Sequence, residues 1–377
     1  MKIVIFSGSF YPNVHPRAFR ATELAKEFVR NGHQVTSVIC KEAEDFDYDA
    51  YKKATSIEVL RLNVFKGNRV AEVASKKKTL LFRLERYLIE YLLCGGLFKY
   101  GRDISRKLSG LSCLKDADLV IALSTPFPCH YGFAKYTAKE GRRFVSIADS
   151  GDPFYYSKQT KRAIWFKYIE KWVYKQFDYL TIPTKNAIPL YSPLIAEEKI
   201  KIIPQGFNMR NLKLYDGAFV EPMHIAYAGV FYWDIRNPEF LFKAMEEIDK
   251  DFIFHLFMRY KDTKYEEVIQ NYPRLKGKIR VSYNVPHDDL IYELSKMDFL
   301  INIENLSNTQ MPSKLIDYGM TRRPIYSTNE INFNPQDLDK FFNKDYEGAY
   351  HVNVEDYNIE KIAREFLELA KAKSNQN

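Results

Sequence analysis

Short apolar runs rich in β-branched and aromatic residues alternate along this chain with longer segments whose apolar residues recur every three or four positions. The first run, Ile3 to Phe6, reads as a buried strand. The segment after it, Phe19 to Arg30, carries Leu24, Ala25 and Phe28 on one face and stops at Asn31-Gly32, a helix closed by a glycine C-cap. Further strands are predicted at Gln34 to Ile39, Ile57 to Leu62, Leu119 to Leu123, Phe144 to Ala148 and Tyr179 to Pro183. A second series follows at His224 to Ala228, Phe252 to Phe257, Ile279 to Ser282, Phe299 to Ile303 and Pro324 to Ser327, each leading into a helix or a turn. Alternation of this kind predicts an α/β chain with two Rossmann-like parallel sheets. Periodicity lapses and polar residues gather between Gly206 and Gly217. The expected domains are therefore 1–206 and 207–352, with a C-terminal helix in 353–377 packing back on the first. No period of about twenty to fifty residues repeats, so a solenoid is excluded.

The length of 377 residues suits two cores, and 46% hydrophobic with 28% charged residues is the composition of a folded chain. The 27 Tyr and 27 Phe serve cores more often than ligands. Cys40, Cys94, Cys113 and Cys129 lack zinc-type spacing, and a reduced cytoplasmic setting is expected. The N-terminal apolar run is too short for a secretion signal, and no stretch reaches the roughly 18 uncharged apolar residues of a membrane span.

The net charge of +8 is concentrated rather than spread. Between Lys76 and Lys107 stand nine Lys or Arg against Glu85, Glu90 and Asp103. Within that stretch Leu81, Leu84, Leu88 and Leu92 fall at helical spacing, with Arg83, Arg86 and Glu90 on the other side. The pattern returns where Trp165, Tyr168, Ile169, Trp172 and Val173 are surrounded by Lys161, Arg162, Lys167, Lys171 and Lys175. Segments 76–107 and 158–177 are thus either helices packed on their own sheet with a solvated basic face or helices docking on an anionic membrane surface. Nucleic acid is disfavoured because the charge is interleaved with long apolar residues instead of lining a groove.

Ligands bind at the carboxyl ends of parallel strands, so the turns there deserve inspection. Ser7-Gly8-Ser9 through His15-Pro16-Arg17 joins a strand to the helix carrying Arg20 and suits an anionic group, with neither a dinucleotide fingerprint nor a Walker lysine. Asp149-Ser150-Gly151-Asp152-Pro153 offers two carboxylates for a sugar hydroxyl or a metal, or a helix cap at Asp152. Asp45-Phe46-Asp47-Tyr48-Asp49 has the look of a metal-binding D-x-D but reads as a surface loop. The segment from Glu304 to Gly319 is a polar loop running into a helix that begins near Pro312. Lys314 in its first turn opposes the helix dipole, which asks for an anionic partner, and Asp317 could accept hydrogen bonds from a ribose.

Taken in order along nearly the whole chain, these segments resemble the retaining glycosyltransferases of the GT-B fold, in particular the group-4 family that builds bacterial surface polysaccharides. Phe10-Tyr11-Pro12, Arg20, Leu24-Ala25 and Gly32-His33-Gln34-Val35-Thr36 are similar to that family's N-terminal unit. Asp149 to Phe154 and Lys201 to Asn208 resemble its Asp-containing turn and its interdomain signature. Ile225 to Gly229 followed by Arg236-Asn237-Pro238 resembles the strand-glycine-cation pattern that holds a donor diphosphate, with Val230 where the first cation usually stands. Met311 to Pro324 resembles the variant Pro-Ser-Lys-Leu-x-Glu-Tyr…Pro, with Asp317 at the ribose-binding glutamate and Thr309 where a partner glutamate is more familiar.

The resemblance implies two domains facing across a cleft and transfer of a sugar from a nucleoside diphosphate sugar to an acceptor hydroxyl, with retention and without a metal or other cofactor. Arg236 and Lys314 would stabilise the leaving group. Gly8, Gly229, Leu306, Ser307, Asn308, Thr309, Ser313 and Asp317 would bind the donor. Arg20, His130, Asp149 and Asp152 would lie on the side of a glycan or lipid-linked acceptor. The implied setting is cytoplasmic, peripheral at the inner face of a membrane, in polysaccharide or glycolipid synthesis. The rival readings are a catalytically inactive nucleotide-sugar-binding scaffold and a sugar-nucleotide epimerase of the same shape.

Overall fold

The computed structural model of the protein describes residues 1–13, 15–64, 87–92, 94–124, 126–157, 160–210, 212–304 and 313–374. The chain divides into two compact units, Met1–Asn208 with Tyr357–Asn377, and Met209–Asp356.

The first unit holds β1 (Lys2–Ser7), β2 (Gln34–Ile39), β3 (Glu58–Arg61), β4 (Leu119–Ser124), β5 (Val145–Ser150), β6 (Tyr179–Ile182) and β7 (Ile200–Ile202). They form one seven-stranded sheet in the order β3-β2-β1-β4-β5-β6-β7, with every pairing parallel. Successive side chains on a strand point to opposite faces. In β1, Ile3 and Ile5 enter one core with Leu24 and Phe28, while Val4 and Phe6 enter another with Phe133 and Phe177. Because both faces are covered, β4 is buried at all six positions and its sequence shows no polar alternation.

Helix α1 (Pro16–Arg30) begins three residues before the predicted Phe19, because His15 caps it by accepting from the Ala18 amide. Asp47 likewise caps α2 (Tyr48–Thr55), its Oδ1 accepting from the Asp49 and Ala50 amides. That is the role of the D-x-D aspartates' middle member. Helices α3 (Leu97–Leu108) and α4 (Pro128–Glu140) pack at Gly101 and Gly132. A Cβ on Gly101 would lie 2.2 Å from the Tyr131 ring, and one on Gly132 would lie 2.5 Å from Ile104, so only glycine permits this approach. Helix α5 (Trp165–Lys175) buries Phe166, Glu170, Val173 and Tyr174. Its other face exposes Trp165, Tyr168 and Trp172. Leu88 and Leu92 are also exposed, and Leu81, Arg83, Leu84 and Arg86 lie outside the described residues.

The second unit is a five-stranded parallel sheet in the order β10-β9-β8-β11-β12. Its strands are β8 (Met223–Ala228), β9 (Phe252–Met258), β10 (Ile279–Tyr283), β11 (Phe299–Ile303) and β12 (Ile325–Thr328). Around it run α6 (Glu239–Glu246), α7 (His287–Ser295) and α8 (Ser313–Met320). Its core joins Ile225 and Tyr227 to Phe254, Leu256, Phe299 and Ile301. The last helix, α9 (Ile359–Ser374), belongs to the first unit, where Ile359, Ile362, Ala363, Phe366 and Ala370 share a core with Ile3, Ile5 and Phe28.

Candidate active site

In the second sheet the chain runs outward from β8 through β9 to β10, then returns to place β11 on the other side of β8. The connections from β8 and β11 therefore leave in opposite directions, and a crevice opens at the carboxyl ends of these two strands. Gly229 follows β8 directly and has φ of +138°, a conformation that a side chain would strain. Its position brings main chain, not side chain, to the mouth of the crevice.

Two cations reach this point. Lys314, in the first turn of α8, donates from Nζ to the Ile303 carbonyl at 3.2 Å and lies 4.5 Å from the centroid of the Tyr227 ring. Burial pushes its ammonium well below the ordinary lysine range, and Arg236 adds to that displacement while Glu304 opposes it. Arg236 lies 5.4 Å from the Tyr232 ring and close enough to the Tyr227 hydroxyl to draw its pKa down, although burial prevails and holds that phenol at about 12. Tyr227 donates to the Val230 carbonyl at 3.1 Å. Tyr318 of α8 accepts from the Ala228 amide at 2.7 Å, tying the helix to the end of β8. The carboxylate of Glu304, just past β11, accepts from Ser327 Oγ at 2.8 Å and Asn329 Nδ2 at 3.1 Å. Asp317, one turn beyond Lys314, accepts from Nε2 of His287 at 2.9 Å.

Arg236, Lys314, Gly229 and Asp317 are thus all in the second unit, the first three at the β8–β11 crevice and Asp317 on the adjoining turn of α8. Leu306, Ser307, Asn308, Thr309, Met311 and Pro312 lie outside the described residues, and of Ser313 only the backbone is described.

In the first unit the corresponding switch point lies between β1 and β4. Gly8 follows β1 and is partly exposed. Since His15 Nδ1 accepts from Ala18, its neutral ring carries the proton on Nε2, which faces Ser9 Oγ at 2.5 Å. Arg20, His130 and Asp149, placed by the sequence on the acceptor side, are internal here. Asp149 stands on β5 itself rather than in the turn after it. It accepts from Arg20 Nε at 2.7 Å, Arg20 Nη2 at 2.8 Å and Thr181 Oγ1 at 2.7 Å, and pairs with Arg17. Arg20 also donates to the carbonyls of Ile203 and Pro204. At 2% exposure each, Arg20 and Asp149 spend their polar atoms on one another and on the chain. Burial alone would raise the Asp149 pKa, but Arg17 and Arg20 outweigh it and hold the carboxylate well below its usual range. His130 is fully buried, pairs with the Ala122 carbonyl at 2.7 Å, and is kept neutral by burial with a pKa of about 4. Asp152 is the exposed member of the set, in a turn whose next residues, Pro153 to Ser157, are not helical, so it caps no helix there.

His287, Glu304 and Arg17 are not singled out individually by the sequence. Glu304 directly follows β11 and Arg17 lies in the first turn of the helix that follows β1, which is the signal that could have promoted them. His287 is thirty residues from Asp317 in the chain, and the fold alone brings the two together. Among the described residues no group of three or more His, Cys, Asp and Glu could hold a metal, and no helix is long and apolar enough to cross a membrane.

This architecture, two Rossmann-like parallel-sheet units with crevices at strand carboxyl ends, is the GT-B fold. A glycosyltransferase from Rickettsia africae ESF-5 superposes with a TM-score of 0.68 over 98% of both chains at 14% identity. An Anabaena protein solved with UDP and glucose superposes at 0.55, over 100% of this chain and 99% of that one, with 10% identity. A Listeria monocytogenes structure described as a UDP-N-acetylglucosamine 2-epimerase gives 0.62, over 100% and 98%, with 12% identity. At such identities the likeness establishes the fold, which transferases and epimerases share. No protein-family model matches the chain, and no curated protein matches it in sequence.

Proposed function

We propose that the protein is a glycosyltransferase that moves a sugar from a nucleoside diphosphate sugar to an acceptor hydroxyl, with retention, in the synthesis of a surface polysaccharide or glycolipid. The observation that carries this reading is the pair Lys314 and Arg236, held close together at the β8–β11 crevice with Asp317 one helical turn away. Two neighbouring cations, one of them a poorly hydrated ammonium, are costly in an empty site and become favourable when a diphosphate enters. The rise of about 4.5 Å between residues three apart on a helix matches the step from a diphosphate to its ribose.

In the reaction the bond from the anomeric carbon to the diphosphate breaks, and a bond to the acceptor oxygen forms on the same face. The acceptor proton passes to the departing phosphate oxygen, so the step balances without a side-chain base. Arg236 and Lys314 stabilise the charge that grows on the leaving group, which is the largest electrostatic demand of the step. In the first unit, Gly8 and Asp152 are the groups proposed to meet the acceptor.

The acceptor reading extends to a membrane. Tyr87, Leu88, Ile89, Leu92, Phe98, Ile164, Trp165, Tyr168 and Trp172 are all exposed, at 36% to 66%. Their segments adjoin, since the Ala163 amide donates to the Tyr91 carbonyl at 3.2 Å and the Tyr131 ring lies 5.9 Å from Phe98 and 6.1 Å from Trp172. With Lys99, Arg102, Lys161, Lys171 and Lys175 exposed on the same segments, an anionic bilayer bearing a lipid-linked acceptor is the fitting surface.

The test is incubation with UDP-, GDP- and dTDP-sugars, with slow release of free sugar and nucleoside diphosphate from one of them as the expected result. Interconversion of free donor sugars without any acceptor would make the protein an epimerase. No turnover or binding with any donor would defeat the proposal.

A further inference from the structure

The contact between His287 and Asp317 stands outside the catalytic scheme above and bears on how the donor is held. His287 opens α7, and its side chain is 46% exposed, whereas that of Asp317 on α8 is 16% exposed. A carboxylate only accepts hydrogen bonds, so the proton of this contact sits on Nε2 whether the ring is neutral or charged. Nδ1 of the same ring lies 3.7 Å from the exposed carboxylate of Asp288. One oxygen of Asp317 is therefore engaged. Among the described residues the other has no hydrogen-bond partner.

We propose that His287 is a positioning residue for the donor's ribose: it fixes the Asp317 carboxylate through one oxygen and leaves the second to read the 2′ and 3′ hydroxyls. This rests on the donor-site reading above. Aspartate has a short side chain, and a carboxylate with some solvent access can still turn about its side-chain bonds. A hydrogen bond from a neighbouring helix removes that freedom before the ligand arrives, which improves affinity without adding a ligand contact. Arg236 and Lys314 address the diphosphate, which ribo- and deoxyribonucleotides share. The His287–Asp317 pair addresses the diol, which they do not. The hydrogen bond to Asp317 also raises the His287 pKa, against the opposing pull of burial. A charged ring strengthens the pair further.

Calorimetric titration of the full chain with UDP and with 2′-deoxy-UDP, and with the GDP and ADP pairs, separates these roles. The wild type should bind the ribonucleotide more tightly. His287→Ala should weaken it about tenfold, the worth of one charge-assisted hydrogen bond, and weaken the deoxynucleotide, which keeps only the 3′ hydroxyl, distinctly less. His287→Gln, whose Nε2 reaches a similar place, should restore most of the preference. In turnover the donor KM should rise with kcat unchanged. Lys314→Ala should weaken both nucleotides equally. If Lys314→Ala weakens both but His287→Ala leaves the ribo-to-deoxy ratio intact, this assignment falls while the donor site stands. If no nucleotide binds the wild type, or Lys314→Ala changes nothing, both fall together.

Discussion

At the scale of single residues, the first unit depends on a carboxylate that the sequence offered as a sugar contact. Asp149 accepts from two arginines and a threonine inside the protein, and in doing so ties α1 to β5 and β6. Removing one partner of such a pair leaves a buried charge uncompensated, so Asp149→Asn should cost about 3–5 kcal/mol of stability in the first unit, measured by urea unfolding. The sign of the pH effect follows from the depressed native pKa. The stabilisation is in place above the ordinary carboxylate value and is lost as pH falls through the lower native one. Wild type should therefore lose stability in strong acid more steeply than Asp149→Asn. Equal acid slopes would contradict the assignment. The pattern Asp-Ser-Gly-Asp reads the same whether its first member ends a strand or begins a turn. Only the register Asp149 with Leu123, one strand over, distinguishes them.

At the scale of elements, α5 shows how far a periodic pattern can be read. Trp165, Tyr168, Ile169, Trp172 and Val173 form one stripe in the sequence, yet the helix divides them. Val173 joins Phe166 and Tyr174 inside, and the two tryptophans face out. The inner face also carries Glu170, whose buried carboxylate accepts from the Phe154 and Tyr155 amides at 3.0 and 2.9 Å and from Tyr174 at 3.2 Å. That carboxylate supplies the partners that the loop after β5 lacks, and burial raises its pKa. No helical-wheel argument separates such a glutamate from a solvated one. Since Trp165 and Trp172 are exposed, replacing both with Ala should leave folding intact and reduce flotation with phosphatidylglycerol vesicles about tenfold, with salt weakening the remainder. Unchanged flotation, or equal flotation with neutral phosphatidylcholine vesicles, would argue against an anionic bilayer.

At the scale of the whole molecule, the strands were the most legible part. The central ones are short apolar runs between polar turns, and being covered on both faces makes them stand out. β7 escaped notice because it has three residues beside a proline-glycine turn. The site was legible where chemistry sits in one segment, as with Lys314 and Asp317 on one helix. It was not legible where the fold joins distant segments, as with His287 and Asp317, or Arg17 and Asp149. In each unit the order of the strands brings strand ends together at the sheet's switch point, and in the second unit that point carries Lys314 and Arg236.

The most direct test is calorimetric titration of UDP, GDP and dTDP at pH 8 in buffers of different ionisation enthalpy, on the wild type, Lys314→Ala and Arg236→Ala. Burial and Arg236 lower the Lys314 pKa in the empty site and an arriving diphosphate raises it again, so the sign of proton exchange on binding is uptake. One nucleotide should bind the wild type with proton uptake. Arg236→Ala should weaken it by about ten- to a hundredfold, as should Lys314→Ala, in which the uptake disappears. Absence of binding by all three nucleotides, or unchanged affinity in both variants, would contradict the account.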